Sequence, residues 1–194
     1  MTYGTLYLCA TPIGNLQDIT LRVLETLEAV DLVACEDTRK TLQLLNHFNI
    51  SKPVTSYYEH NKMTKGDVII QHLKDGKNVA LVSDAGMPGV SDPGYDLVQQ
   101  CLAEDIPFTV LPGPVAAITA LVLSGLPTDR FCFEGFIPRH KKERQQYFER
   151  LLNEERTMIF YEAPHKLPST LRDFYSAFGD RKLSIVRELT KIHE

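Results

Sequence analysis

Residues 79–89 read VALVSDAGMPG, an apolar run followed at once by a loop of small and turn-forming residues. Two other apolar runs are followed in the same way: Leu6 to Ala10 by the loop 11–15, and Phe108 to Leu111 by the loop 112–114. Runs of this length, rich in β-branched or aromatic residues, are typical of buried strands. Open α/β sheets bind small ligands at the carboxyl edge of their strands. If the three strands are parallel neighbours, the three loops meet there.

The rest of the first 125 residues continues the alternation of strands and helices. Further strands are predicted at Leu32 to Cys35 and Val54 to Ser56. Helices are predicted from an Asp18 cap to Val30 (with Leu21, Leu24 and Leu27 on one face), from a Thr38 cap to Phe48, from Thr64 to Asp75 with Gly76 as the stop, from Tyr95 to Glu104 and from Val115 to Ser124. This order predicts an α/β fold with a mainly parallel sheet and flanking helices.

The turn-rich segment 125–129 indicates a domain boundary, so we predict domains at 1–125 and 126–194. The second domain is predicted to contain three strands and two helices. The strands are Phe131 to Phe136, Thr157 to Tyr161 and Leu183 to Val186, and the helices are Lys141 to Leu152 and Leu167 to Phe178. Such a domain has little material for a core of its own, so we expect a smaller α/β domain that is incomplete in this chain. The alternative is a short genuine domain that leans on the first.

The composition narrows the class of protein. The chain has 194 residues, 43% of them hydrophobic, and a formal net charge of -4. This charge argues against a broad basic surface that coats nucleic acid, but it leaves room for a local basic patch. The four cysteines are far apart and indicate neither a zinc site nor a disulfide framework, and Cys9 and Cys35 are predicted to be reduced core residues. Without a signal-peptide pattern or a membrane-spanning run, we expect a cytoplasmic protein.

The loops indicate the chemistry of a ligand. They match neither phosphate-binding glycine pattern, their prolines remove N–H donors, and Asp84 and Asp92 place negative charge nearby. A ligand without phosphate and with positive charge suits such walls, and S-adenosylmethionine, a sulfonium with a ribose diol, meets this description. The alternative is that the loops are ordinary connecting turns.

Six motifs in a fixed order carry a resemblance to a known family. They are TPIGNL with DIT at 11–20, EDTR at 36–39, VSDAG at 82–86, LPGP at 111–114, FEGF at 133–136 and RELTK at 187–191. Together they resemble the small-subunit ribosomal RNA methyltransferase I family, a branch of the tetrapyrrole methylase superfamily. The resemblance implies a homodimeric two-domain enzyme that uses S-adenosylmethionine to methylate the ribose 2′-hydroxyl of a decoding-centre cytidine in 16S rRNA of the small ribosomal subunit.

The resemblance also implies which residues form the cofactor walls. These are Pro12, Ile13, Asp84, Ala85, Met87, Val115 and Ala116 from the first domain, with Tyr161 and Glu162 from the second. Asp84 is expected to neutralise or hydrogen-bond the methionine or ribose part of the cofactor. Its alternative role is that of a capping or turn aspartate. No metal ligand is predicted.

A ribose hydroxyl is a weak nucleophile, so a base or an electrostatic partner is expected near it. The polar residues after the second and third strands supply candidates, and the predicted catalytic residues are Arg39, Glu59 and His60. Imidazole accepts protons near neutral pH, although a lone histidine in a polar loop is commonly a surface residue. Arg39 either orients a phosphate of the target nucleotide or pairs with Glu36 or Asp37.

One basic stretch is a candidate RNA contact. Its predicted RNA-binding residues are Arg139, Lys141, Lys142 and Arg144, followed by the rings of Tyr147 and Phe148, which can stack on unpaired bases. The alternative is a solvated helix whose two rings belong to the core.

Two other functions remain open on the sequence. One is a methylase of a porphyrin or corrin precursor, since one scaffold can serve different acceptors. The other is a non-catalytic nucleotide-binding module that interacts with the ribosome.

Overall fold

The computed structural model describes residues 2–194. Its strands are β1 (Leu6–Cys9), β2 (Leu32–Cys35), β3 (Val54–Ser56), β4 (Val79–Val82), β5 (Phe108–Leu111), β6 (Phe131–Phe136) and β7 (Thr157–Tyr161). Its α-helices are α1 (Leu21–Ala29), α2 (Thr38–His47), α3 (Lys62–Lys74), α4 (Tyr95–Ala103), α5 (Ala116–Leu123), α6 (Lys141–Leu151) and α7 (Leu167–Phe178). A short 3-10 helix covers Leu16–Asp18. Among the described residues, no helix combines the length and apolarity that a membrane crossing requires.

The chain divides into two compact units, one reaching Ala116 and including Thr190–His193, the other covering Ala117–Leu189 and Glu194. This division falls after Ala116, the first residue of α5, whereas the sequence places the boundary after the whole helix. Residues 125–129 do form the turns that follow α5, but a turn signal does not reveal which unit the preceding helix joins. The ranges 1–125 and 126–194 stay a prediction.

The first unit contains a five-stranded sheet in the order β3-β2-β4-β1-β5. Every adjacent pair is parallel, which confirms the predicted α/β class. The three strands whose loops were singled out, β4, β1 and β5, are neighbours, so their carboxyl ends lie side by side at one edge.

Alternate residues of the strands build two separate cores, because successive side chains in a strand point to opposite faces. One core joins Leu6, Leu8, Val79 and Leu81 to apolar residues of α3 and α4. The other core lies on the opposite face of the sheet, against α1 and α2. It joins the strand residues Cys9, Val33, Cys35, Ala80 and Val82 to the helix residues Val23, Leu27 and Leu45. Helices therefore cover both faces, and Cys9 and Cys35 are buried free thiols as predicted.

Two predicted helix caps and one predicted helix start are wrong. Thr20, not Asp18, caps α1 by accepting a hydrogen bond from the Val23 amide at 3.2 Å. Asp37, not Thr38, caps α2 by accepting one from the Arg39 amide at 2.9 Å. The third helix begins at Lys62, two residues before Thr64. In each case several neighbouring polar residues can act as caps, and tertiary packing selects between them.

One helix face was also predicted wrongly. Leu21 is 78% exposed, and Val23 and Leu27 are the buried residues of α1. In an α-helix, Val23 lies only about 40° around the axis from Leu27, whereas Leu21 lies about 120° from it, so Val23 shares the packed side. By contrast, the stop after α3 is confirmed, because Gly76 has φ +81, a conformation that favours glycine.

The second unit contains the parallel pair β6 and β7, with α6 and α7. The strand predicted at Leu183 to Val186 is wrong, since the structure shows no strand there. Leu183 and Ile185 are 49% and 54% exposed. An apolar run becomes a strand only where a neighbouring strand can pair with it, and none in the described part of the chain pairs with this segment.

Candidate active site

The loops after β1 and β4 are joined by a reciprocal pair of backbone hydrogen bonds. The Thr11 amide donates to the Gly86 carbonyl at 2.9 Å, and the Gly86 amide donates to the Thr11 carbonyl at 3.0 Å. Two buried hydroxyls reinforce the junction: Thr11 Oγ1 donates to the Ser83 carbonyl, and Ser83 Oγ donates to the Gly86 carbonyl, both at 3.2 Å. Neither Thr11 nor Ser83 was predicted as a site residue, although a polar residue directly after a buried strand indicates such a role.

The loop after β5 meets the same junction. A Cβ on Gly113 would lie 2.8 Å from the Ala10 Cβ, and a Cβ on Gly86 would lie 3.3 Å from Ile13 Cγ2 and 3.6 Å from the Pro114 carbonyl oxygen. Gly113 therefore allows a close approach that a side chain would block, and the φ of +85 at Gly86 is a conformation that favours glycine. The three loops form one continuous surface, here called the cofactor loops (residues 11–15, 83–89 and 112–116).

The predicted cofactor residues of the first unit lie on this surface. Pro12, Ile13, Asp84, Met87, Val115 and Ala116 are half-buried and Ala85 is exposed. Tyr161 and Glu162 lie at the end of β7 in the second unit. The Tyr161 ring packs against Phe133 and Phe136 at centroid distances of 5.1 and 5.5 Å. The Glu162 carboxylate accepts hydrogen bonds from the Ala163 amide at 2.8 Å and from Thr170 Oγ1 at 2.6 Å.

Asp84 ties the loop after β4 to the start of α2. Its Oδ1 accepts from the Asp37 amide at 3.1 Å, and its Oδ2 pairs with Lys40 Nζ at 2.7 Å. The Glu36 carboxylate accepts from the Asp84 amide at 3.3 Å. Asp84 is thus already engaged by the protein, and its partner Lys40 was not predicted from the sequence.

Glu36, Asp84 and Asp92 form a carboxylate cluster with Lys40 as the cation that pairs with it. Burial, followed by the charge of Asp84, raises the pKa of Glu36. Burial, followed by the charges of Glu36 and Asp84, raises the pKa of Asp92 to about 6. Three carboxylates beside one ammonium leave this edge negative, which suits a cationic ligand. Together with the proline-rich, donor-poor loops, this charge fits the sulfonium and diol of S-adenosylmethionine.

A polar pocket of about 540 Å³ lies at the same edge, lined by Glu36, Tyr58, Glu59, His60, Ser91, Asp92 and Pro93. The structure thus brings together two of the predicted catalytic residues, Glu59 and His60. Glu59 pairs with Lys62 Nζ at 2.8 Å, and the rings of Tyr58 and His60 lie 6.5 Å apart. Tyr58, Glu59 and His60 are exposed, so the pocket is open to solvent.

Arg39, the third predicted catalytic residue, is not part of this pocket lining. Its Nη2 pairs with Asp37 Oδ2 at 2.7 Å, and its side chain is 86% exposed. The hydrogen bonds from Arg39 lower the pKa of Asp37 to about 2. Of the two roles considered for Arg39, the structure shows the pairing with Asp37.

The basic stretch divides into exposed and packed residues. Arg139, Lys141 and Lys142 are exposed. Arg144 forms an ion pair with Asp173, donates to Thr170 Oγ1 at 3.3 Å and lies over the Phe148 ring. Phe148 is buried, and Tyr147 Oη bonds to Glu134 Oε2 at 3.0 Å. The two rings are therefore core contacts, which was the alternative considered for them.

A family model matches nearly the whole chain. The model of the tetrapyrrole (corrin/porphyrin) methylases matches residues 5–194. The chain belongs to the tetrapyrrole methylase family. Two solved structures share the methylase fold: diphthine synthase (TM-score 0.67, 15% identity, 84% of this chain and 65% of that one) and uroporphyrin-III C-methyltransferase from Thermus thermophilus (TM-score 0.63, 18% identity, 92% and 78%).

Closer sequence relatives identify the branch of the methylase family. Proteins named ribosomal RNA small subunit methyltransferase I are 54% identical in Halalkalibacterium halodurans, 53% in Synechocystis and 49% in Thermotoga maritima, each over 98% of this chain. The matches cover 66%, 69% and 86% of those proteins, so the chain spans about two thirds of the first two. The resemblance to this methylase branch seen in the sequence is confirmed.

Proposed function

We propose that the chain binds S-adenosylmethionine on the cofactor loops and serves to methylate the ribose 2′-hydroxyl of a decoding-centre cytidine in 16S rRNA. The observation that carries the proposal is the convergence of three donor-poor loops beside the carboxylate cluster. The rRNA acceptor is supported by the names of relatives that are about half identical to this chain. A ribosomal substrate would place the activity in the cytoplasm.

The bound cofactor would supply a methyl group already activated by the sulfonium charge. The work left to the protein is positioning, and near-attack geometry can supply about 7–11 kcal/mol of barrier lowering. The cofactor loops suit this work because paired backbone amides and close-packed glycines hold them in one arrangement. Tyr161 and Glu162 are proposed as further cofactor contacts, and Glu59 and His60 as polar residues near the acceptor.

Cofactor binding is the first prediction. Calorimetry with S-adenosylmethionine, NAD and ATP is expected to show binding of the first alone, because the loops lack a phosphate cradle and the adjacent edge is negative. Stronger binding of NAD or ATP would contradict the proposal and favour a nucleotide-binding module.

The acceptor is tested by transfer of a labelled methyl group. We expect label in small-subunit rRNA at a ribose 2′-oxygen and none in a tetrapyrrole precursor. Label in the tetrapyrrole alone would contradict the rRNA assignment. The predicted homodimer is checked separately by sedimentation equilibrium.

The second prediction concerns RNA contact by Arg139, Lys141 and Lys142, which are exposed at the start of α6. The double change Lys141→Glu and Lys142→Glu is expected to weaken RNA binding by about tenfold or more and to reduce the salt slope, since each lost phosphate contact removes about 0.7 from that slope for a single strand. Filter binding at several salt concentrations measures both effects.

A matched control makes the same change of net charge elsewhere. Arg22→Glu with Lys77→Glu reverses two exposed cations of the first unit. If this control lowers RNA affinity as much as the α6 variant does, the effect is one of overall charge and the patch has no specific role.

A further inference from the structure

The polar pocket and the cofactor loops are neighbours because the strands that precede them lie side by side in the sheet. The cofactor loops follow β4, β1 and β5, whereas the pocket is built on the residues after β2 and β3 and on the later part of the loop after β4. Because the order is β3-β2-β4-β1-β5, the loop 83–94 belongs to both sites. Its first part lies among the cofactor loops, and its later part, Ser91 to Pro93, lines the pocket.

Asp92 differs from the other charged residues of this pocket. It is half-buried, and its electrostatic neighbours are Glu36 and Asp84, both of its own sign. Lys40, the cation of the carboxylate cluster, is paired with Asp84. In residues 2–194, no hydrogen bond or ion pair involves the Asp92 carboxylate. A half-buried carboxylate that lines a pocket and whose pKa is raised by burial and by like charges is a candidate functional group.

The other polar groups of the pocket are already engaged or exposed. Glu59 pairs with Lys62, which also pairs with Asp96. Glu36 accepts the Asp84 amide. His60 is exposed, and its ring lies against that of Tyr58, a side chain that is 41% exposed and offers an aromatic face to an unpaired base.

We propose that the polar pocket receives the acceptor nucleoside and that the Asp92 carboxylate takes the proton of its hydroxyl. This inference rests on the proposed methyltransferase function. The hydroxyl oxygen forms a bond to the methyl carbon as the carbon–sulfur bond breaks, and that bond's electron pair stays on sulfur, which becomes a neutral thioether. The hydroxyl proton moves to an Asp92 oxygen and is later lost to water. Neither an oxidant nor a metal ion is needed for this balance.

The activity test compares single-turnover methyl transfer to small-subunit rRNA by the full chain and its variants. Asp92→Asn is expected to lower the rate by about 10²–10⁴-fold, the range typical of a lost general base, while the Kd for S-adenosylmethionine changes less than threefold. Asp67→Asn, which alters an exposed carboxylate of α3, is the matched control and should leave the rate unchanged. His60→Gln is expected to have a smaller effect than Asp92→Asn.

The pH profile distinguishes a proton acceptor from a structural residue. The wild-type rate is expected to fall as the pH drops through about 6, where Asp92 takes up a proton. Glu36→Gln keeps an acceptor for the Asp84 amide but removes a like charge, so the acid limb should move to lower pH. A residue that only supports the fold would not produce this shift.

A stability measurement gives a readout that is independent of activity. The folded-state pKa of Asp92 lies above its ordinary value of 3.8, so its contribution to stability is present at low pH and is lost as the pH rises through about 6. Asp92→Asn does not ionise. The unfolding equilibrium constant of wild type relative to this variant should therefore rise by about tenfold or more between pH 4 and pH 8.

The outcomes separate this inference from the proposed function. If the wild-type chain methylates no small-subunit rRNA, the proposed function fails and the inference falls with it. If the wild type is active but Asp92→Asn stays within threefold of it, or loses less than His60→Gln, only the role of Asp92 is overturned. A relative stability of Asp92→Asn that does not change with pH also overturns it.

Discussion

Gly113→Ala is expected to separate the loop after β5 from the end of β1 and to weaken S-adenosylmethionine binding by about tenfold or more. The new Cβ would lie 2.8 Å from the Cβ of Ala10, well inside the usual contact distance of two carbon atoms. Overpacking of this kind costs about 1–3 kcal/mol of stability. Chemical denaturation gives the free energy of unfolding, and calorimetry gives the affinity.

A second substitution tests whether that one contact is responsible. Ala10→Gly removes the opposing Cβ, and the other distances from the new atom, 3.5 Å to the Ala10 carbonyl oxygen and 3.9 Å to its carbon, are ordinary. The double variant should recover most of the affinity of wild type, with a stability deficit of about 0.5–1 kcal/mol from the added glycine. A double variant that binds no better than Gly113→Ala would show that the loops do not need this close approach.

Phe148→Ala is expected to lower the free energy of unfolding by about 3–5 kcal/mol, the usual cost of removing a buried aromatic ring. Phe148 is 7% exposed, and its ring lies 5.8 Å from the rings of both Phe174 and Phe178. It also supports the guanidinium of Arg144. Thermal and denaturant unfolding measure the loss.

Phe148→Leu is the matched variant because it keeps an apolar side chain in the same space. It should cost less than Phe148→Ala and should leave RNA affinity unchanged. A folded Phe148→Leu protein that loses RNA binding would contradict the core assignment and restore the stacking role considered from the sequence.

The strands of the first unit were predictable because β1, β2, β4 and β5 are short, mainly apolar runs bounded by turn residues, and β3 contains the β-branched Val54 and Thr55. The observed bounds of β2, β3, β4 and β5 are those predicted, and the sheet order then brings the β4, β1 and β5 loops together. The segment 183–186 has similar apolar content but does not form a strand. The pattern of apolar residues indicates the tendency of a segment to form a strand. Whether the strand forms also depends on a neighbouring strand elsewhere in the chain with which it can pair.

The candidate site was predictable at the level of its loops and only partly at the level of its side chains. The ion pair between Lys40 and Asp84 joins residues that are 44 positions apart in the sequence. The residues around either one do not indicate that the two side chains meet. The sequence likewise predicted only that Asp92 adds negative charge near the loops, and not that its side chain is partly buried beside other carboxylates. Its distinctive state comes from burial beside Glu36 and Asp84, a property of the folded edge alone.

The amide pair between Thr11 and Gly86 has a consequence for the energetics of recognition. Fixing the backbone of one residue costs about 1–2 kcal/mol in conformational entropy. For these loops, that ordering takes place when the sheet folds and not when a ligand binds. Because the loops are already ordered before a ligand binds, binding does not have to order them, and more of the contact energy contributes to affinity. Slow amide hydrogen exchange at these two positions in the ligand-free protein would be the direct sign of such rigidity.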